Sequence, residues 1–150
     1  MKLSKFCDES LVAFSLKSKA KDDVIMELVN LAATSNMIKD HDTLMNDVRE
    51  REKLVTTGVG YGVAFPHAKT SSAKGIVIAF GRSEGGVDFD AMDHKPVHLL
   101  FLIAAPEDAI GAHLNVMARL SYLMKSEENR EKLMRATSPG DVLALMDNVK

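Results

Sequence analysis

The chain has 150 residues, 46% of them apolar and 27% charged, with a formal net charge of −2. That length can bury about two-thirds of the surface an unfolded chain exposes, so one domain over residues 1–150 is expected. The balanced charge and the lack of a lysine/arginine run exclude the electrostatic footprint of a nucleic-acid binder, and no apolar run reaches the ~20 residues of a membrane helix. Met1 to Lys5 lead into no hydrophobic stretch resembling a secretory signal. The one cysteine, Cys7, can form neither an internal disulfide nor a Cys-x-x-Cys site. A cytoplasmic location is the expectation.

Leu11 to Phe14 read as a short strand. Apolar residues at helical spacing (Val24, Ile25, Leu28, Val29, Ala32) predict a helix from about Lys19 to Asn36. A second helix, about Asp42 to Leu54, turns Leu44, Met45 and Val48 inward and ends in the charged run Arg49-Glu50-Arg51-Glu52-Lys53. It runs into Thr56-Thr57-Gly58-Val59-Gly60-Tyr61-Gly62-Val63-Ala64-Phe65-Pro66-His67, which reads as a loop presenting an imidazole. Gly75 to Phe80 and Val87 to Phe89 read as two strands separated by a Gly85-Gly86 turn. Val97 to Ala105 is apolar at both parities after His98, the mark of a strand covered on both faces, and Pro106 ends it. Three helices follow. The first runs from about Ala109 to Met124, capped by Asp108, with Ile110, Leu114, Met117 and Leu123 toward the core. The second spans about Glu127 to Ala136, and the third runs from Pro139 to Met146 with Ser138 as cap. This order predicts an α/β class, helices on both sides of a small mixed sheet.

Gly58, Gly60 and Gly62 fit neither the dinucleotide fingerprint nor a P-loop, since Val63 stands where the third glycine would fall and no Gly-Lys-Ser/Thr follows. They suit either close approach of a ligand to backbone amides or a turn with no ligand. His67, fixed by Pro66, is a base, a ligand or a nucleophile, or else a surface loop residue. His113 lies in the first turn of a helix, pointing inward, where the dipole favours an anion; a core histidine is the plain alternative. Arg51 carries a fork suited to phosphate or is a solvated helix-end charge, and the hydroxyls of Thr56 and Thr57 follow within reach. His94 and His98 bracket a proline without a carboxylate or cysteine set, so no metal is expected. His41 is a helix-start polar residue, and no serine sits in Gly-x-Ser-x-Gly.

Taken together, Arg51-Glu52, Thr56-Thr57-Gly58-Val59-Gly60 and Gly62-Val63-Ala64-Phe65-Pro66-His67 resemble the active-site signature of enzyme IIA of the phosphotransferase system, in its fructose/mannitol and nitrogen-regulatory class. The likeness continues through Phe89 to Asp93, Pro96 to Pro106, and His113-Leu114 with the helix that follows. Phe65 departs from it, standing where the family more often has an aliphatic residue.

The resemblance implies a three-layer α/β/α sandwich. It also implies that His67 takes a phosphoryl group from the carrier HPr, or a nitrogen-branch counterpart, and passes it to a cysteine of an enzyme IIB. His113 matches the second active-site histidine and Arg51 the phosphate-neutralising arginine. Thr56, Thr57, Gly58, Gly60 and Gly62 are the expected supporting residues, with no cofactor. Cys7 has no phosphate-cradling loop after it and is not expected to be a IIB acceptor, and no stretch suits a membrane transporter. Tyr61 and Phe65 are expected to form an apolar docking face around His67. The alternatives are a regulatory IIA whose phosphorylation controls protein partners, and a non-catalytic binding module in which His67, His113 and Arg51 are neighbours by accident.

Overall fold

The computed structural model describes residues 2–148. Its centre is a mixed six-stranded sheet ordered β1-β5-β6-β3-β2, with β4 also on β6. The strands are β1 (Val12–Ala13), β2 (Gly58–Gly60), β3 (Val63–Ala64), β4 (His67–Lys69), β5 (Val77–Val87) and β6 (Val97–Ala105). The helices are α1 (Lys21–Ala32), α2 (His41–Leu54), α3 (Ile110–Lys125), α4 (Glu127–Arg135) and α5 (Pro139–Asp147). α1 and α2 pack on β4 and β5, and α4 packs on β6. The α/β class with helices flanking a mixed sheet is the observed architecture.

β6 is the axis. From Leu99 to Ala105 every residue is buried, as its unbroken apolar run requires of a strand covered on both faces. One edge pairs antiparallel with β5, the other parallel with β3 and then β4. β3 and β4 are thus two pieces of one line along β6, broken at Phe65-Pro66. Proline has no N–H to give, but the Pro66 carbonyl still accepts from Ile103 N–H at 3.0 Å. His67 therefore opens β4 in register with Ile103.

Several expectations are corrected. The stretch ending at His67 is a β2–β3 hairpin and a strand start. Its turn has left-handed backbone at Gly60, Tyr61 and Gly62 (φ 102°, 59° and 77°), which the two glycines on either side of Tyr61 adopt without strain. Gly85-Gly86 is no turn between strands. β5 runs through both, and Gly86 (φ 86°) sits where its register against β6 shifts between Arg82 and Val87, as a bulge does. β1 is shorter than Leu11 to Phe14, because Glu9–Leu11 form a 3-10 turn. Asp108 does not cap α3, whose N-cap position is Ala109 with no side-chain bond. Ile110 and Leu114 face solvent; the buried residues of α3 are His113, Val116, Leu120, Leu123 and Met124.

Other local signals are realised. Ser138 caps α5, its hydroxyl accepting from Asp141 N–H at 3.2 Å, with Pro139 in the first turn. Ser138→Ala is expected to lower stability by about 1 kcal/mol, read as a shift of the urea midpoint with an unchanged slope. Cys7 is buried, and its thiol is pushed up to about 12 by that burial and by Asp8, which makes it a poor nucleophile. Among the described residues, no helix is long and apolar enough to cross a membrane.

Candidate active site

The break between β3 and β4 positions His67. Phe65, immediately before the proline, is 2% exposed and stacks on Phe101 with ring centroids 5.9 Å apart. Its N–H donates to Thr57 O at 3.0 Å, and its own carbonyl faces the His67 ring 2.8 Å from Nδ1. A carbonyl can only accept, so Nδ1 carries the proton and Nε2 keeps a bare lone pair. Burial lowers the His67 pKa, opposed by that hydrogen bond and by Glu52; Arg51 and Lys69 lower it further. The ring is neutral at neutral pH.

His113 stands 5.4 Å from His67 between ring centroids, at 42°. It is 6% exposed, and its Nδ1 is buried with no partner among the described residues. Nε2 is the ring atom left to serve a ligand, and a neutral ring with its proton there is a donor to it. Burial first, then the neighbouring His67 and Lys69, pushes the His113 pKa down to about 4. The pair is one neutral nucleophile beside one neutral donor.

Arg51 enters from the last turn of α2. Its Nη1 donates to Val55 O at 3.0 Å, the one hydrogen bond of this guanidinium among the described residues, and its charge is felt at His67. Glu52, the next residue, is 7% exposed and turned the other way. It accepts from Thr57 N–H (2.8 Å), from the Thr57 hydroxyl (2.5 Å) and from Lys21 Nζ (2.9 Å).

The structure thus brings His67, His113 and Arg51 to one place and gives the other expected residues different positions. The Thr57 hydroxyl is held by Glu52. The Thr56 hydroxyl donates to Phe89 O at 3.2 Å and accepts from Gly58 N–H at 3.1 Å. Gly58 is required for packing: a Cβ there would lie 2.9 Å from Ala91 Cα and Cβ. Gly60 and Gly62 make the hairpin turn at the far end of β3. Gly62 O meets His98 and Leu99 N–H, whereas Pro66 O meets Ile103 N–H. Four residues at ~3.3 Å each put the turn roughly 13 Å from the imidazole along β6.

Phe65 is in the core and cannot form a docking face. Tyr61 is 71% exposed but sits in that distant turn, under the Arg130 guanidinium at 4.8 Å. The exposed apolar residues near the site are instead Leu54 and Val55, beside Arg51, and Ile110 and Leu114, on either side of His113 in α3. Ile110 and Leu114 keep helical spacing with core residues but flank the buried stripe, so spacing alone does not distinguish them from it. The place of Glu52 was equally hidden, since a carboxylate in a charged helix end reads as solvated.

A family model described as "Phosphoenolpyruvate-dependent sugar phosphotransferase system, EIIA 2" matches residues 5–149. The chain belongs to that family. Among curated relatives, a fructose-specific EIIA component of Haloferax volcanii is 40% identical, covering 89% of this chain and 89% of its own length. A fructose-specific EIIABC component of Bacillus subtilis is 37% identical over 98% of this chain, which spans only 23% of that longer protein. A nitrogen regulatory protein of Bradyrhizobium diazoefficiens is 38% identical, covering 79% of this chain and 77% of its own length. In three dimensions this EIIA chain is similar to the crystal structure of nitrogen regulatory protein IIA-Ntr from Neisseria meningitidis. The TM-score is 0.89 at 32% identity, with 96% of this chain and 98% of that one covered. IIA mannitol of Escherichia coli shares the fold, with a TM-score of 0.78 at 22% identity, covering 91% and 96%.

Proposed function

We propose that this EIIA chain is a phosphoryl carrier acting as one unit in the cytoplasm, with His67 as the residue that bears the phosphoryl group. The observation that carries this reading is the Nδ1–H···O=C bond to Phe65, which leaves Nε2 bare toward the space shared with His113. Nε2 attacks the phosphorus of a donor phosphohistidine in line. A new N–P bond forms, the donor's N–P bond breaks, and its electron pair returns to the donor imidazole. The His67 ring gains positive charge in this step while keeping Nδ1–H. The Phe65 carbonyl therefore binds it more strongly in the transition state than before, which lowers the barrier rather than merely holding substrate. His113 Nε2–H and the Arg51 guanidinium neutralise the equatorial oxygens, as such transfers need.

The donor is an HPr-type phosphocarrier, and the acceptor is the cysteine of a IIB protein in fructose/mannitol-type uptake. The fructose-specific relatives support the uptake reading, and IIA mannitol of Escherichia coli has been solved in complex with phosphorylated IIB. Leu54, Val55, Ile110 and Leu114 supply the apolar rim against which such partners dock. The likeness to IIA-Ntr favours a second reading, in which the same phosphorylation controls protein partners.

The test is incubation with phosphorylated HPr, followed by intact mass and peptide mapping. The expected result is one acid-labile phosphoryl group on the peptide holding residue 67. No gain in mass, or an acid-stable adduct elsewhere, overturns the reading. Passage of the label to a IIB cysteine separates uptake from regulation.

A further inference from the structure

Glu52 is the buried carboxylate that the steps above do not use. It lies at the end of α2, and its two oxygens take up three donors: the Thr57 amide, the Thr57 hydroxyl and the Lys21 ammonium. A buried carboxylate is stable only when paired and hydrogen-bonded, and this one is both. From Thr57 a residue-by-residue chain of hydrogen bonds leads to the nucleophile. Phe65 N–H donates to Thr57 O, and His67 Nδ1–H donates to Phe65 O. A second arm leads to Arg51, because the segment that Glu52 pins through Thr57 includes Val55, whose carbonyl holds the guanidinium.

We propose that Glu52 is a positioning residue for His67 and Arg51, and that Lys21 is its counter-ion. Glu52 anchors the segment 55–58, against which Phe65 aligns its carbonyl with His67 Nδ1, and its negative charge favours the ring charge that develops when Nε2 is phosphorylated. Lys21, whose ammonium also lies 4.7 Å from the Phe89 ring centroid, moderates that charge. It also occupies Glu52, so that the carboxylate next in sequence to Arg51 does not neutralise it. None of the ion pairs found among the described residues includes Arg51.

The inference rests on the carrier reading for its purpose, but its test does not need phosphate. The charged and titratable groups acting on His67 are Arg51 and Glu52 from α2, Lys69 from β4 and His113 from α3. NMR titration of His67 in the unphosphorylated full chain reads its pKa and, from the ring nitrogen shifts, its tautomer. Glu52→Gln keeps the shape and one acceptor and removes the charge. It is expected to lower the His67 pKa by on the order of half a unit and to erode the Nδ1–H tautomer. Lys21→Met is expected to move the pKa up, because the carboxylate loses its counter-ion. Opposite signs from two variants of one ion pair are not produced by loosening of the fold, which would move both the same way.

Arg49→Gln breaks the neighbouring pair, Arg49 to Asp22 at 3.1 Å, and is expected to leave the His67 titration in place. No shift in Glu52→Gln, shifts of one sign in both variants, or an Arg49→Gln shift equal to that of Lys21→Met overturns the proposal. Should Glu52→Gln fail to fold, Lys21→Met decides: a rise supports it, and no change or a fall overturns it. With phosphorylated HPr as donor, Glu52→Gln is expected to accept phosphoryl about tenfold more slowly. A chain that never accepts phosphoryl but shows the opposed shifts would sink the carrier reading and leave the positioning intact.

Discussion

Replacing His67 by alanine is expected to abolish phosphoryl acceptance, and replacing Arg51 by alanine to slow it by about a hundredfold to a thousandfold. The difference follows from what each group does. His67 Nε2 supplies the electron pair for the new bond, and no neighbour can stand in for it: His113 is turned so that its Nδ1 is buried, and its Nε2 is the donor in the proposed transfer. Arg51 supplies charge and direction, which the His113 N–H partly retains when it is gone. Both variants are expected to fold. His67 opens a strand and is half-buried, and Arg51 makes a single bond among the described residues, to a helix-end carbonyl, so Arg51→Ala is expected to change stability by less than about 0.5 kcal/mol. Arg51→Lys restores a point charge without the fork and is expected to recover only part of the rate. The measurement belongs at pH 8. Arg51 depresses the His67 pKa, so its loss raises the share of protonated, inert His67 near pH 6.5, whereas at pH 8 the ring is neutral in either form. A wild-type rate for Arg51→Ala at pH 8 would remove the guanidinium from the site.

How far the sequence carries this site depends on the distance over which each signal acts. β6 declared itself, because the seven residues from Leu99 to Ala105 offer no polar side chain to either face and leave one solution, a strand covered on both sides. Helices α1 and α2 were legible from apolar spacing, and α5 from a hydroxyl at Ser138 placed before Pro139. The glycines misled for a physical reason. Gly60 and Gly62 look like neighbours of His67 in the chain, but two residues of β3 and the Phe65-Pro66 break carry the turn roughly 13 Å away along β6. What a glycine serves is set by its tertiary neighbour, here Ala91 for Gly58 and left-handed backbone for the other two. Gly85-Gly86 misled in the same way, since a pair that signals a turn locally was absorbed as a bulge once β6 supplied a partner for β5. Glu52 was invisible because its burial depends on Lys21 and Thr57 converging from separate elements. Arg82 is a parallel case: it is 8% exposed and donates to the Leu133 and Ala136 carbonyls at the end of α4, partners far from it in the chain.

Acid is expected to destabilise this fold between pH 6.5 and 4, mainly through His113. In the unfolded chain its imidazole takes a proton near pH 6.5. In the folded chain burial beside His67 and Lys69 holds the pKa at about 4. Between those values the unfolded state binds the proton and the folded state does not, so stability present above pH 6.5 is lost as pH falls and levels off below 4. At pH 5 the loss from this one group is about 2 kcal/mol. His67, its pKa lowered by burial, adds in the same direction. The carboxylates Glu27, Asp40 and Asp93 are held below their ordinary range, first among the lowering causes being hydrogen bonds from Ser18, Thr43 and Lys95 respectively. Their contribution is therefore lost only at lower pH, outside the histidine window. Urea midpoints at pH 7 and pH 5 isolate the effect. The wild type is expected to lose most of this increment and His113→Gln, which cannot titrate, to lose little of it. An equal loss in both would show that His113 is not the buried neutral base described. The cause of this acid lability is also what suits the residue to its proposed place. An imidazole kept neutral throughout the physiological range presents a fixed N–H to the transferring group and does not repel the ring of His67 as that ring becomes charged.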